Sequence, residues 1–315
     1  MRDLSRDRRG LIGVVIAVIA VVIVIFVIIA LVFLPVRSVG IDESRQADVP
    51  EDVEAVEFNL NTDVGQVNVE FVNGTDEVTM SVTGFQRSGI LGASEPVNVS
   101  FQERVSGDTL VIDSTVRLGG GTGFFSSNEV NTTVRIPSDL RAALDISSSL
   151  GGVEVTTVEG VNLTSVDIET STGGSRLLLV DNTTLSGPLR MSASLGGVDL
   201  RWTNVRATDG ARVDLSASTG GVNYVITQTE PLGAVVPVTS NTSLGGTNMI
   251  MVIEGNNSAQ VVSSANLGGV SVQESEGFVG DDGNLTSTNY PTGSRFEVTN
   301  RADTGGVNLR LTYRE

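Results

Sequence analysis

Three groups of residues in this chain have types and spacings that could do chemistry. The run GDDGN at 280–284 brings Asp281, Asp282 and Asn284 together, three oxygen ligands of the kind calcium takes. Its spacing matches neither the helix–loop–helix calcium loop nor the Gly-Asp nonapeptide roll, so it reads as an acidic turn and no metal is assigned. The second group is a set of N-x-S/T acceptors at Asn73, Asn98, Asn131, Asn162, Asn182, Asn241, Asn256 and Asn284. These are glycosylation candidates if they lie on outward loops, although a chain so rich in Ser, Thr and Asn produces several by composition alone. The third is the scatter of Asp and Arg with which some parallel β-helices cleave acidic polysaccharides, aided by Lys and calcium. Here all 20 cationic side chains are Arg, and Lys, His and Cys are absent. That composition excludes Ser-His and Cys-His nucleophiles, thiolate chemistry, the common zinc sites and disulfide staples. No catalytic residue and no cofactor is assigned, and a polysaccharide-active enzyme stands as the rival class. The net charge of −17 argues against nucleic acid as a partner. Arg without Lys in so acidic a chain suggests a salt-loving archaeal source.

Leu11 to Leu34 contains no charged residue. A helix of that length spans about 36 Å, enough for a bilayer core. Nothing polar marks a solvent face, and the stretch is longer than a cleaved signal's apolar core. Arg2, Arg6, Arg8 and Arg9 precede it, whereas Asp42, Glu43, Asp48, Glu51, Asp52 and Glu54 follow. The positive-inside rule then places residues 1–10 in the cytoplasm as a leader, 11–34 as a single transmembrane helix, and the bulk of the chain outside the cell membrane. Residues 35–55 hold Pro and acids without apolar periodicity and read as an acidic linker. An alternative takes RDRRGLIGVV as the leader of an archaeal type IV pilin-like subunit, cut after Gly10.

What must position any surface site is the repeat. SASLGGVDL (192–200), SASTGGVNY (216–224) and SSSLGGVEV (147–155) are near copies. The GG pairs are Gly151-Gly152, Gly173-Gly174, Gly196-Gly197, Gly220-Gly221, Gly245-Gly246, Gly268-Gly269 and Gly305-Gly306, with Gly65 as a degenerate copy. The spacing is 22–25 residues, except for a final gap of 37 that carries an insertion read as a loop. Such a period predicts a solenoid, because one unit is too small to bury a core. Seven residues before each first Gly the chain is always apolar, as it is four residues after. Two residues before, it is always Ser, Asn or Asp. Each unit therefore reads as a strand, a tight corner at S-x-G-G and a second strand, with Gly supplying positive φ at the corner. The expected fold is all-β, a parallel β-solenoid of about 22–25 residues per coil, behind one N-terminal transmembrane helix. Residues 141–315 form the repeat and 56–140 a β-rich N-terminal cap. If coils stack in sequence order, Glu154, Arg176 and Asp199 fall in one outward column. The residue before GG runs Leu150, Thr172, Leu195, Thr219, Leu244, Leu267, Thr304, a near-alternation of large and small.

The apolar anchor, the acidic linker, VEFNLNTDVGQVNVE, the passage RIPSDLRAALDISSSLGGV and the repeated S-x-G-G-V strands together resemble the "putative adhesin" family of prokaryotic surface domains, over roughly residues 56–315. The resemblance implies parallel β-solenoids and a nonenzymatic, extracytoplasmic role; the ligand is left open between a surface glycan and a protein. It transfers no ligand residues. The expected function is a membrane-anchored surface module with a structural or adhesion-like role. The alternatives are the pilin-like subunit or an envelope-stress accessory protein.

Overall fold

The computed structural model describes Val21, residues 38–87, 97–119, 128–281 and 283–315. The leader (1–10), nearly all of the expected transmembrane segment (11–34), the Gly-rich stretch 120–127 and Asp282 lie outside the described residues. Among the described residues no helix is long and apolar enough to cross a membrane.

The rest is all-β. Side chains alternate in and out along each strand with period two. In Val198–Thr203 the side chains of Val198, Leu200 and Trp202 are buried while Asp199, Arg201 and Thr203 point outward. The apolar column seven residues before the corner (Phe58, Leu144, Val166, Leu189, Val213, Val238, Val261, Val298) is buried throughout. Burial of these columns between two sheets is the main driving force of the fold.

The N-terminal strands are β1 (Ser38–Asp48), β2 (Ala55–Thr62), β3 (Gln66–Val72), β4 (Glu77–Arg87), β5 (Asn98–Ser106), β6 (Thr109–Arg117), β7 (Asn128–Pro137), β8 (Arg141–Leu150) and β9 (Val153–Thr156). Thereafter each unit repeats the β8–corner–β9 pattern: Asn162–Thr172 with Ser175–Leu179, Pro188–Leu195 with Val198–Thr203, Arg212–Thr219 with Val222–Gln228, and Val235–Leu244 with Thr247–Glu254. The last two pairs are Ser258–Leu267 with Val270–Glu276 and Arg295–Thr304 with Val307–Arg314. Strands before the corner form one large sheet, strands after it the other, and successive units pair in parallel in both.

Three expectations need correction. First, the chain forms two mixed sheets rather than a simple solenoid, because antiparallel strands are added at both ends: β1 on β4 and β4 on β7, β5 on β6, and, in one sheet only, a hairpin of Phe278–Asp281 and Asn284–Ser287 laid on Ser258–Leu267. Second, the units do not all stack in sequence order. The last unit, around Gly305, lies between the Gly245 and Gly268 units. At the other end the Gly65 unit lies between the Gly151 unit and the pair β6–β7. Both are thus clamped on two sides, where terminal segments otherwise fray. The choice follows polarity. VNLRLTY buries Val307, Leu309, Leu311 and Tyr313, whereas VSVQESE, with Glu274 and Glu276, takes the open edge, where charge discourages further strand pairing. The insertion after Gly268 is the length of chain that permits the return.

Third, residues 38–48 are not linker but strand β1, paired along its whole length with β4. Only Ala47 on it is fully buried among the side chains described, so an apolar pattern was lacking while the backbone bonds were available. The cap at 56–140 is likewise continuous with the stack: β2 and β3 form a layer of it, joined to β8 and β9.

Candidate binding surface

The corner sets the spacing of everything outside it. The first glycines hold positive φ, from +108° at Gly65 to +148° at Gly196. The N–H of Gly196 donates to the Thr219 carbonyl at 2.8 Å, and that of Gly173 to the Leu195 carbonyl at 2.8 Å, so the ladder runs through the turn unbroken. A Cβ on Gly151, Gly173, Gly196, Gly220, Gly245, Gly268 or Gly305 would overlap the carbonyl oxygen of the neighbouring layer's first glycine. The second glycines, Gly152, Gly174, Gly197, Gly221, Gly246, Gly269 and Gly306, have no such φ. A Cβ on Gly197 would meet the Gly221 oxygen at 3.4 Å, an ordinary contact, and one on Gly269 would meet nothing. The two letters of GG therefore carry different constraints.

Because layers are in register, like positions form outward columns. Three residues after the first glycine the column runs Asn68, Glu154, Arg176, Asp199, Asn223, Asn248, Asn308, Ser271. Arg176 lies between two carboxylates, with Nε 4.0 Å from Asp199 Oδ1. Both partners are substantially exposed, so we expect Arg176→Ala to cost less than about 1 kcal/mol, and less in high salt, by chemical denaturation.

A concavity of about 660 Å³ lies on the outer face where β5, β6, β2 and β8 adjoin. Register makes it a grid. One row is Gln102, Asp113, Asn59, Asp145; the next is Ser100, Thr115, Asn61, Ser147. Arg117 and Asn98 pair beyond them. Asn59 Nδ2 donates to Asp113 Oδ1 at 2.9 Å, and Arg104 pairs with the same carboxylate. Those two hydrogen bonds hold the Asp113 carboxyl below its ordinary value. A second groove adjoins it, lined by Glu57, Asp145, Asp167 and Arg190. There burial, and then the neighbouring Asp145 charge, raise the Asp167 carboxyl. The platform presents amides, hydroxyls and carboxylates at strand spacing, a pattern able to hydrogen-bond a hydroxyl-rich ligand. Among the described residues no group of three metal-binding side chains occurs.

The glycosylation candidates are dispersed. Asn73, Asn98, Asn131, Asn182, Asn241, Asn256 and Asn284 are exposed, and Asn162 is partly covered, accepting a hydrogen bond from Ser186 Oγ at 3.3 Å. Asn98 borders the platform; Asn182 and Asn256 sit in turns, Asn182 with φ +59°. Asp281 ends a strand and Asn284 opens the next, and these pair with each other in the hairpin.

Sequence reasoning missed the buried polar pins. Asn300, fully buried, accepts from Tyr224 Oη at 2.5 Å and donates to Ser263 Oγ at 3.2 Å. Trp202 Nε1 donates to Gln228 Oε1 at 2.8 Å. The signal was present: five residues before the corner the column is Leu60, Ile146, Ile168, Met191, Leu215, then Ser240, Ser263, Asn300. Three polar residues at inward positions mark where the last layers interlock.

No family model matches the chain, and no curated protein does. Among solved structures it is similar to a "putative cell adhesion protein" from Clostridium sporogenes, at 13% identity over 86% of this chain and 100% of that one, with a TM-score of 0.41. A "putative adhesin" from Bacteroides fragilis follows at 12% identity over 85% and 97%, TM-score 0.35. One from Parabacteroides distasonis shows 14% identity over 86% and 97%, TM-score 0.30.

Proposed function

We propose that this chain is a membrane-anchored surface module with a structural or adhesion-like role and no catalysis, its parallel stack a solenoid with antiparallel strands added at both ends. The observation that carries the reading is the polar platform, a broad outward grid of hydrogen-bonding side chains in register across four strands. Such a grid suits contact with an extended glycan or protein. The uncharged stretch 11–34 and its charge-asymmetric flanks support anchoring with the N-terminus inside. The fold's many paired layers suit a stalk-like scaffold, because each unit contacts only its neighbours and adds rigidity along one axis.

The test is topological. Protease added to intact cells is expected to remove nearly all the mass and leave a small membrane stub. Full protection of the chain would overturn the reading.

A further inference from the structure

The residue before each GG is not random once the layers are placed. In sequence order the column reads Leu, Thr, Leu, Thr, Leu, Leu, Thr. In the stack, Thr304 pairs with both Leu244 and Leu267. The spatial order becomes Leu150, Thr172, Leu195, Thr219, Leu244, Thr304, Leu267, a strict alternation. The four leucines do not pack inward: they are 50, 54, 55 and 68% exposed. Layers step by about 4.8 Å, so the leucines stand about 9.6 Å apart along an edge of about 29 Å, with threonine recesses between them.

The same edge is nearly free of charge. The adjoining column is Ser149, Ser171, Ser194, Ser218, Ser243 and Asn266, with Asp303 as an acid within it and Asp63 in the layer beyond Ser149. Over a molecule of net charge −17, this is where two copies can approach without setting carboxylates against one another.

We propose that this Leu/Thr edge is a self-association surface on which a second copy of the chain docks about a two-fold axis, the leucines of each copy seated in the threonine recesses of the other. Alternating large and small residues are self-complementary when two such edges run antiparallel and are displaced by one layer, and two-fold pairing closes the contact at a dimer. The strip is far narrower than a standard interface of about 800 Å² per partner, so a single pair is weak and arrays of tethered copies supply the avidity. Antiparallel pairing puts the two N-terminal ends at opposite ends of the dimer. If the surface reading above holds, the contact therefore joins opposing membranes and the adhesion is homophilic.

The experiment is clustering of beads carrying the full-length chain coupled through its N-terminus, followed by light scattering. Wild type is expected to cluster, and more strongly at about 1 M salt, where charge repulsion is screened. Leu195→Asp with Leu244→Asp is expected to abolish clustering. Thr219→Leu fills a recess and is expected to abolish it too, although it makes the edge more apolar. Unchanged melting temperatures show that these exposed substitutions leave the fold intact. Dispersed wild-type beads, clustering that falls with salt, or a Thr219→Leu variant that clusters as well as wild type or better would each overturn the proposal, the last pointing to a generic apolar partner. External proteolysis on cells reads the surface assignment separately, so the two can fail independently.

Discussion

Gly196→Val is expected to unfold or split the stack, whereas Gly197→Ala, one residue later, leaves a protein close to wild type. At Gly196 the backbone holds φ +148°, and a Cβ would overlap the Gly173 carbonyl oxygen. A β-branched residue at positive φ costs about 1–3 kcal/mol before any clash. Opening the layer spacing to relieve that clash would break the bond from the Gly173 N–H to the Leu195 carbonyl. Together these are expected to exceed about 4 kcal/mol, a large part of a domain's usual stability. Gly197 has neither constraint, and its Ala variant is expected to change stability by less than about 1 kcal/mol. Thr203→Val, on the outward face, should be comparably mild. Thermal denaturation of the three variants checks this. Similar melting temperatures for Gly196→Val and Gly197→Ala would refute the stacked-carbonyl account.

Asn300→Ala is expected to be the most damaging single truncation among the polar side chains. It leaves the buried Tyr224 hydroxyl and Ser263 without their partner, at a cost of about 2–4 kcal/mol. It also removes a side-chain link from the out-of-order Gly305 layer to Ser263 of the adjoining Gly268 unit and to Tyr224 of the Gly220 unit, which lies beyond the Gly245 layer on the other side. Tyr224→Phe alone should be milder, and the double variant less than additive by about 1–3 kcal/mol. Burial pushes the Tyr224 hydroxyl well above its ordinary value of 10. The folded state therefore keeps the proton where the unfolded chain loses it. That stability is fully present below pH 10 and is lost progressively as pH rises further, so Tyr224→Phe should flatten the alkaline limb of the stability curve. Additive losses in the double-mutant cycle would sink the pin.

Local geometry was legible in the residue types alone. The GG pairs, the short polar residue two positions earlier and the apolar columns on either side specify strand, corner and strand, because each depends only on neighbouring φ/ψ preferences and the two-residue period of a strand. Glu154, Arg176 and Asp199 were legible as one column for the same reason: a near-constant period preserves register. Layer order is not encoded in the period and emerges only from long-range packing. Which unit lies beside which depends on competition among strands for buried and edge places, and VNLRLTY won the inner layer over VSVQESE through its greater apolar surface. The platform on β5, β6, β2 and β8 unites residues from Asn59 to Ser147 by pairing distant strands, so no local window contains it. β1 escaped notice because it rests on backbone hydrogen bonds along a sheet edge, which leave little trace in side-chain polarity. The strict Leu/Thr alternation existed in the sequence with two letters exchanged, and only the threading of the last unit between two earlier ones put them in order.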